Sequence, residues 1–172
     1  MFIFAYGSLI WNPNFNYSRK FKGTLNGYKR DYSIIETHHR GNESSHGLVM
    51  GIHEKEQHKT DGILFHINDK HWKEAYQYLQ QRENPNELYY IEKELEIDSI
   101  FGSIKALTFV SNKDSSTFSK VNCPILKAKI ISSASGKSGT NLDYFNSSLK
   151  SLTELNLIDE NDVHFSINKF LN

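Results

Sequence analysis

At 172 residues the chain is long enough for one core of ordinary size and short for two. Twenty basic side chains balance twenty acidic ones with no block of like charge, which argues against nucleic acid or an anionic membrane surface as the main partner. The lone Cys123 cannot close an internal disulfide, and no Cys-x-x-Cys pair is present for zinc, so a reducing compartment suits the chain. The apolar residues at positions 2 to 5 come with no basic n-region, long h-region or cleavage site, and no run approaches the roughly 20 apolar residues of a membrane helix. The expectation is a soluble, cytoplasmic protein with one domain over residues 1–172.

In chain order, strands are predicted first: Met1 to Tyr6, Gly23 to Thr37, Gly47 to His53 and Gly62 to Ile67, separated by Gly, Asn and Ser clusters. The period then changes. Asn68 or Asp69 can cap a helix in which Trp72, Ala75, Tyr76 and Leu79 share one face, ending near Asn84-Pro85. Tyr89 to Ile97 and Ser103 to Val110 read as two more strands, and residues 111 to 120, SNKDSSTFSK, as a mobile surface loop. The last third is helical. Pro124 suits a first turn and Gly136 the stop; Leu142, Phe145, Leu149 and Leu152 form a second apolar stripe; Val163, Ile167, Phe170 and Leu171 form a third, with Asp162 and His164 at its start. Strands followed by helices, without regular alternation, indicate an α+β domain with a mainly antiparallel sheet that can curl into a barrel.

The first strand runs into Tyr6-Gly7-Ser8-Leu9-Ile10. A backbone turning at Gly7, which has no side chain to block approach, can aim consecutive N–H groups into one concavity that binds a carboxylate or phosphate, with the Ser8 hydroxyl added. The plainer alternative is a bend between two buried apolar segments. The spacing of a phosphate loop is missing.

Four segments carry a family resemblance. Tyr6-Gly7-Ser8-Leu9-Ile10-Trp11-Asn12-Pro13 resembles the N-terminal signature of the ChaC-like gamma-glutamylcyclotransferases. In the family's order, Thr37-His38-His39-Arg40-Gly41 is similar to Thr-Asp-His-Arg-Gly, and Tyr78-Leu79-Gln80-Gln81-Arg82-Glu83 to Tyr-Leu-Asp-x-Arg-Glu. The stretch from Gly136 to Tyr144 is similar to Gly-x-x-Gly-x-Asn-x-x-Tyr. The resemblance implies a β-barrel flanked by helices and cleavage of glutathione to 5-oxoproline and cysteinylglycine, with a small-molecule gamma-glutamyl substrate as partner and no metal or organic cofactor.

That chemistry is an internal aminolysis, in which the α-amino group of a gamma-glutamyl unit attacks its own γ-carbonyl and expels the attached amine. Orientation of this kind is worth on the order of 7–11 kcal/mol. The Tyr6 to Ile10 segment is then the anchor for the α-carboxylate, and a base must move the ammonium proton to the departing nitrogen. Glu83 fits by type and place. At a helix C-terminus the peptide dipoles oppose its charge, and burial acts in the same direction. A Glu beside Arg82 at a helix end is otherwise an ordinary solvated pair, and the motif match tips the balance to the proton shuttle. Arg82 itself is expected to point elsewhere and form a structural ion pair. Tyr144 either hydrogen-bonds the substrate, as its family position implies, or is a half-buried tyrosine on a helix face. Arg40 serves either a carboxylate of the substrate's glycine end or one of the protein. Asn141 can cap its helix. His38, His39 and His46 match no zinc spacing.

The chain departs from the family pattern at His38 and Gln80, each in place of Asp, and at Leu48, where an Arg is usual. Its loop from Asn84 to Leu88 is about two residues longer than expected. These changes bear on what lies beyond the glutamyl unit. Two other readings stay open: a cyclotransferase for other gamma-glutamyl amines or amino acids, and a non-catalytic carboxylate-binding module.

Overall fold

The computed structural model describes residues 1–83 and 88–171. Strands β1 (Phe2–Ala5), β2 (Arg19–Glu36), β3 (Gly47–His66), β4 (Tyr90–Ser99) and β5 (Gly102–Ser111) form a closed barrel in the order β1-β3-β2-β4-β5. β1 is antiparallel to β3, with Ile3 opposite Phe65 and Phe4 opposite Leu64. β4 and β5 make a hairpin, β2 meets β4 antiparallel at Gly23 and Thr24, and a parallel pair at Ile3 and Leu107 closes the barrel. The mainly antiparallel, barrel-forming sheet expected from sequence is the one observed.

Successive strand residues face opposite ways. Phe4, Leu64, Leu25, Ile52, Ile97 and Val110 belong to one buried cluster, while their neighbours Ile3 and Phe65, on the other face, are buried too. The rings of Phe15 and Tyr17 stand edge-on to Phe65 at 5.5 and 4.9 Å and cover part of that second face. Burial on both sides explains why the opening strand reads Phe-Ile-Phe-Ala without polar alternation.

Helix α1 (Asp69–Glu83) follows β3. It buries Ala75 and Leu79 and half-buries Trp72 and Tyr76, so the face predicted from spacing is the packed one. The expected stop at Asn84-Pro85 and the long loop through Glu87 lie outside the described residues. Beyond β5 come α2 (Pro124–Ser133), with Pro124 in its first turn, a minimal ribbon of β6 (Ser135–Gly136) and β7 (Gly139–Thr140), α3 (Asn141–Glu154) and α4 (Val163–Asn168). The α3 stripe buries Phe145 and Leu152, and Asp162 caps α4 by accepting the His164 N–H.

Several boundaries differ from expectation for identifiable reasons. β2 begins at Arg19, where Phe21 already packs on the barrel cluster. β3 is one strand of 20 residues; its Glu54 to Lys59 portion is mostly solvent-facing, so the polar run that looked like a break continues the strand, with an irregularity at Gln57, φ 62°. α2 ends at Ser133, and Gly136 serves a different purpose: a Cβ there would sit 2.5 Å from the Gly41 carbonyl oxygen, so only glycine lets these segments meet. The 111 to 120 stretch, expected as a mobile loop, is stitched to β2: Ile35 N–H donates to Thr117 O at 2.7 Å and Ser119 N–H to Ser33 O at 2.8 Å. α4 stops before Phe170 because the chain tightens into i→i+3 bonds at Phe170 and Leu171.

The chain divides into two compact units, each discontinuous in sequence. The first is Met1–Lys29 with Ile52–Lys113; the second is Arg30–Gly51 with Asp114–Asn172. The second has its own core, in which Tyr32, Leu48, Met50, Ile131 and Phe145 are buried. No helix among the described residues is long and apolar enough to cross a membrane.

Candidate active site

In the first unit, β1 leads through Tyr6 and Gly7 into a 3-10 turn at Ser8–Ile10. The segment is held from three sides. The Tyr6 phenol is buried and donates to Phe109 O at 2.6 Å, and Leu9 and Ile10 are buried as well. Ile10 N–H bonds back to Gly7 O and Asn12 N–H to Ser8 O, both at 2.9 Å. At the start of such a turn the N–H groups of Ser8 and Leu9 have no carbonyl of the turn to bond. That is the arrangement an anion-binding nest requires. Tyr6, Leu9 and Ile10 commit their side chains to anchoring, which leaves the backbone and the Ser8 hydroxyl as the groups that can meet a ligand.

Glu83 is the last residue of α1, and its side chain is 14 % exposed. Its proton affinity is raised: burial pushes it up, and the neighbouring Arg82 guanidinium only partly offsets this. Arg82 Nε lies 3.0 Å from Glu83 Oε1. The same guanidinium donates from Nη2 to Ser8 Oγ at 2.8 Å, and from Nη1 to Asn12 O at 2.6 Å and to the Tyr78 hydroxyl. Arg82 is therefore the ion-pair former that was expected, but it does not point elsewhere: it ties the carboxylate of Glu83 to the Ser8 turn. Sequence reasoning missed that link. The available signal was Tyr78 four residues before Arg82, a spacing that puts both on one helix face.

Arg40 and Tyr144 belong to the second unit, where they meet each other, the guanidinium lying 5.7 Å from the ring centroid. Arg40 Nη1 donates to Thr140 O at 3.3 Å, and the Tyr144 hydroxyl accepts from Met50 N–H at 3.3 Å. Glu36 is a carboxylate of this region; it accepts the backbone N–H groups of His38, His39, Arg40 and Gly41 and fills that turn from within the protein. Asn141 does not cap α3; Thr140 does, accepting Asp143 N–H at 3.0 Å. Asn141 is instead fully buried and brackets Leu48, accepting its N–H at 2.7 Å and donating to its C=O at 2.8 Å. His39 pairs with Ser138 and stacks edge-on with His38. Among the described residues no three His, Cys, Asp or Glu side chains converge to hold a metal ion.

Two of the departures noted in the sequence, at Gln80 and His38, have local explanations. The Gln80 amide donates to Glu92 of β4, which also accepts the Tyr76 hydroxyl at 3.1 Å; an aspartate at position 80 would set two carboxylates against each other. At His38 it is the backbone N–H, independent of side-chain identity, that bonds Glu36.

A family model for ChaC-like protein matches residues 1–171. The glutathione-specific gamma-glutamylcyclotransferase 1 of Danio rerio is 36% identical over 83 residues, which are 48% of this chain and 42% of that protein, so the match spans less than half of that relative's length. The glutathione-specific gamma-glutamylcyclotransferase of Schizosaccharomyces pombe (strain 972 / ATCC 24843) is 30% identical over 182 residues, covering 95% of this chain and 88% of that one. A crystal structure of a yeast gamma-glutamyl cyclotransferase specific to glutathione has the same fold, with a TM-score of 0.85 at 18% identity over 100% of this chain and 97% of its own. Matched by that family model over residues 1–171, the chain belongs to the ChaC-like protein family.

Proposed function

We propose that this protein cyclises the gamma-glutamyl unit of glutathione, releasing 5-oxoproline and cysteinylglycine. The observation that carries the reading is the half-buried Glu83 carboxylate, joined through one guanidinium to the Ser8 turn. The names of the relatives in fish and fission yeast support the substrate.

In this scheme the N–H groups of Ser8 and Leu9 and the Ser8 hydroxyl hold the α-carboxylate, fixing one end of the glutamyl arc. Glu83, whose proton affinity burial has raised, takes a proton from the α-ammonium. The freed amine attacks the γ-carbonyl and a carbon–nitrogen bond forms in the five-membered ring; the original amide bond breaks as Glu83 returns its proton to the departing nitrogen, and the second proton shed by the ring nitrogen passes to the released amine, which leaves as an ammonium. No enzyme nucleophile is required, and orientation supplies most of the acceleration. Arg40 is assigned to a substrate carboxylate and Tyr144 to a substrate hydrogen bond, each on its own chemistry. Residues 1–172 are assigned to a single domain acting in the cytoplasm, where the lone Cys123 stays reduced. The balanced charge argues against nucleic acid as a partner.

Incubation with reduced glutathione followed by mass detection of 5-oxoproline tests the reaction class. Glu83→Gln is expected to lower kcat by about 100- to 10,000-fold while ligand affinity, read by calorimetry, changes little. Unaltered turnover in that variant would remove Glu83 from the mechanism.

A further inference from the structure

Among the described residues Arg82 has four oxygen partners, and their geometry fixes where hydrogens go. A guanidinium carries only donors. Every atom it touches must therefore accept: Ser8 Oγ at 2.8 Å, Asn12 O at 2.6 Å, Tyr78 Oη, and Glu83 Oε1 at 3.0 Å. A hydroxyl that accepts from Arg82 keeps its own hydrogen for another acceptor. Ser8 is thus set as a donor, the polarity a ligand carboxylate needs. Arg82 also occupies Oε1 of Glu83, so a proton arriving from the ligand has Oε2 to go to.

We infer that Arg82 is the positioning residue of this site, coupling the two ends of the reacting unit by turning the Ser8 hydroxyl toward the ligand's carboxylate and keeping the Glu83 carboxylate ionised and oriented for proton pick-up. This rests on the reading of Glu83 as proton shuttle. Burial alone would drive Glu83 toward the protonated acid, which cannot accept a proton, and the adjacent guanidinium is the charge that opposes this. Ser8 and Asn12 are neutral, Tyr78 accepts from Arg82, and Glu92 of β4 is engaged by Tyr76 and Gln80. Lysine would preserve the charge but lose the fork that reaches Ser8, Asn12 and Tyr78 together.

The test is kcat and KM for glutathione from roughly pH 5 to 9 in the wild type and in Glu83→Gln, Arg82→Met, Arg82→Lys and Ser8→Ala, with melting temperatures read alongside. Arg82→Met is expected to move the acid limb of the pH–rate profile upward by about one to two pH units and to raise KM on the order of tenfold. Arg82→Lys should leave the limb near the wild-type position while KM stays raised. Ser8→Ala should raise KM without moving the limb. An Arg82→Met enzyme with the wild-type limb, beside an inactive Glu83→Gln, would overturn the inference and leave the proton-shuttle reading standing. A Glu83→Gln enzyme with full turnover would sink that reading itself. If Arg82→Met does not fold, Arg82→Lys decides: wild-type KM there overturns the coupling. A fall in melting temperature with KM and limb unchanged would make Arg82 merely structural.

Discussion

Asn141 shows how much one polar side chain can hold. Both its amide atoms are used on Leu48, and neither the asparagine nor the leucine has access to water. Asn141→Ala should cost about 3 kcal/mol, because it leaves a buried N–H and a buried C=O of the same residue unsatisfied; urea unfolding reads the loss. The buried set around His164 responds to acid. His164 Nδ1 lies 2.6 Å from Asp162 Oδ1, and Nε2 lies 3.0 Å from Ser148 Oγ and 3.1 Å from the Tyr32 hydroxyl. Burial lowers the pKa of His164 below its usual 6.5. Burial of Asp162 acts upward, but the hydrogen bond to His164 and the charge of Arg30 outweigh it, and its pKa falls below the usual 3.8. Both groups bind fewer protons folded than unfolded, so both contributions are complete above their usual values and are lost as the pH falls through the lowered ones. Stability is therefore expected to decline once the pH drops below about 6.5 and to decline again below about 3.8, as thermal melts in a buffer series would record. A melting temperature independent of pH from 7 down to about 4 would contradict this. At this scale the sequence carried an expectation for Glu83 only through its motif match. It was illegible where a partner from a distant segment decided the role: Leu48 for Asn141, Ser8 for Arg82.

The elements were legible in proportion to how local their causes are. α1 and α3 followed from apolar spacing, because a helix face is encoded within a few turns of sequence. β3 was not, since its middle residues, Glu54 to Lys59, are held by strand pairing rather than by burying a side chain, and composition registers only burial. The stretch after β5 failed for a related reason: its serines and lysines look like a loop, yet its backbone pairs with β2 through Thr117 and Ser119. The β6–β7 ribbon, only four residues across its two strands, lies below what any periodicity can reveal; its glycines carried the signal. Gly136 permits the close approach to the Gly41 carbonyl, and Gly139 takes a φ of +105°.

Barrel and helices come from one chain whose two compact units alternate along it: first, second, first, second. β2 and β3 each carry residues of both units. Because the units share continuous strands, the assignment of residues 1–172 to one domain predicts a single unfolding transition. Far-ultraviolet circular dichroism and tyrosine fluorescence should report the same midpoint. Two separated midpoints would mean that the units melt independently.

That alternation decides where the gene cannot be cut. A break after Lys113 would release a piece holding the whole first unit plus the orphaned Arg30–Gly51 ribbon. Arg30 would be severed from Asp162, Asp31 from Lys127, and Tyr32 from Ser148 and His164. Anyone building a two-piece reporter from this barrel would be handed a fragment studded with stranded charges, sticky until its missing tail arrives.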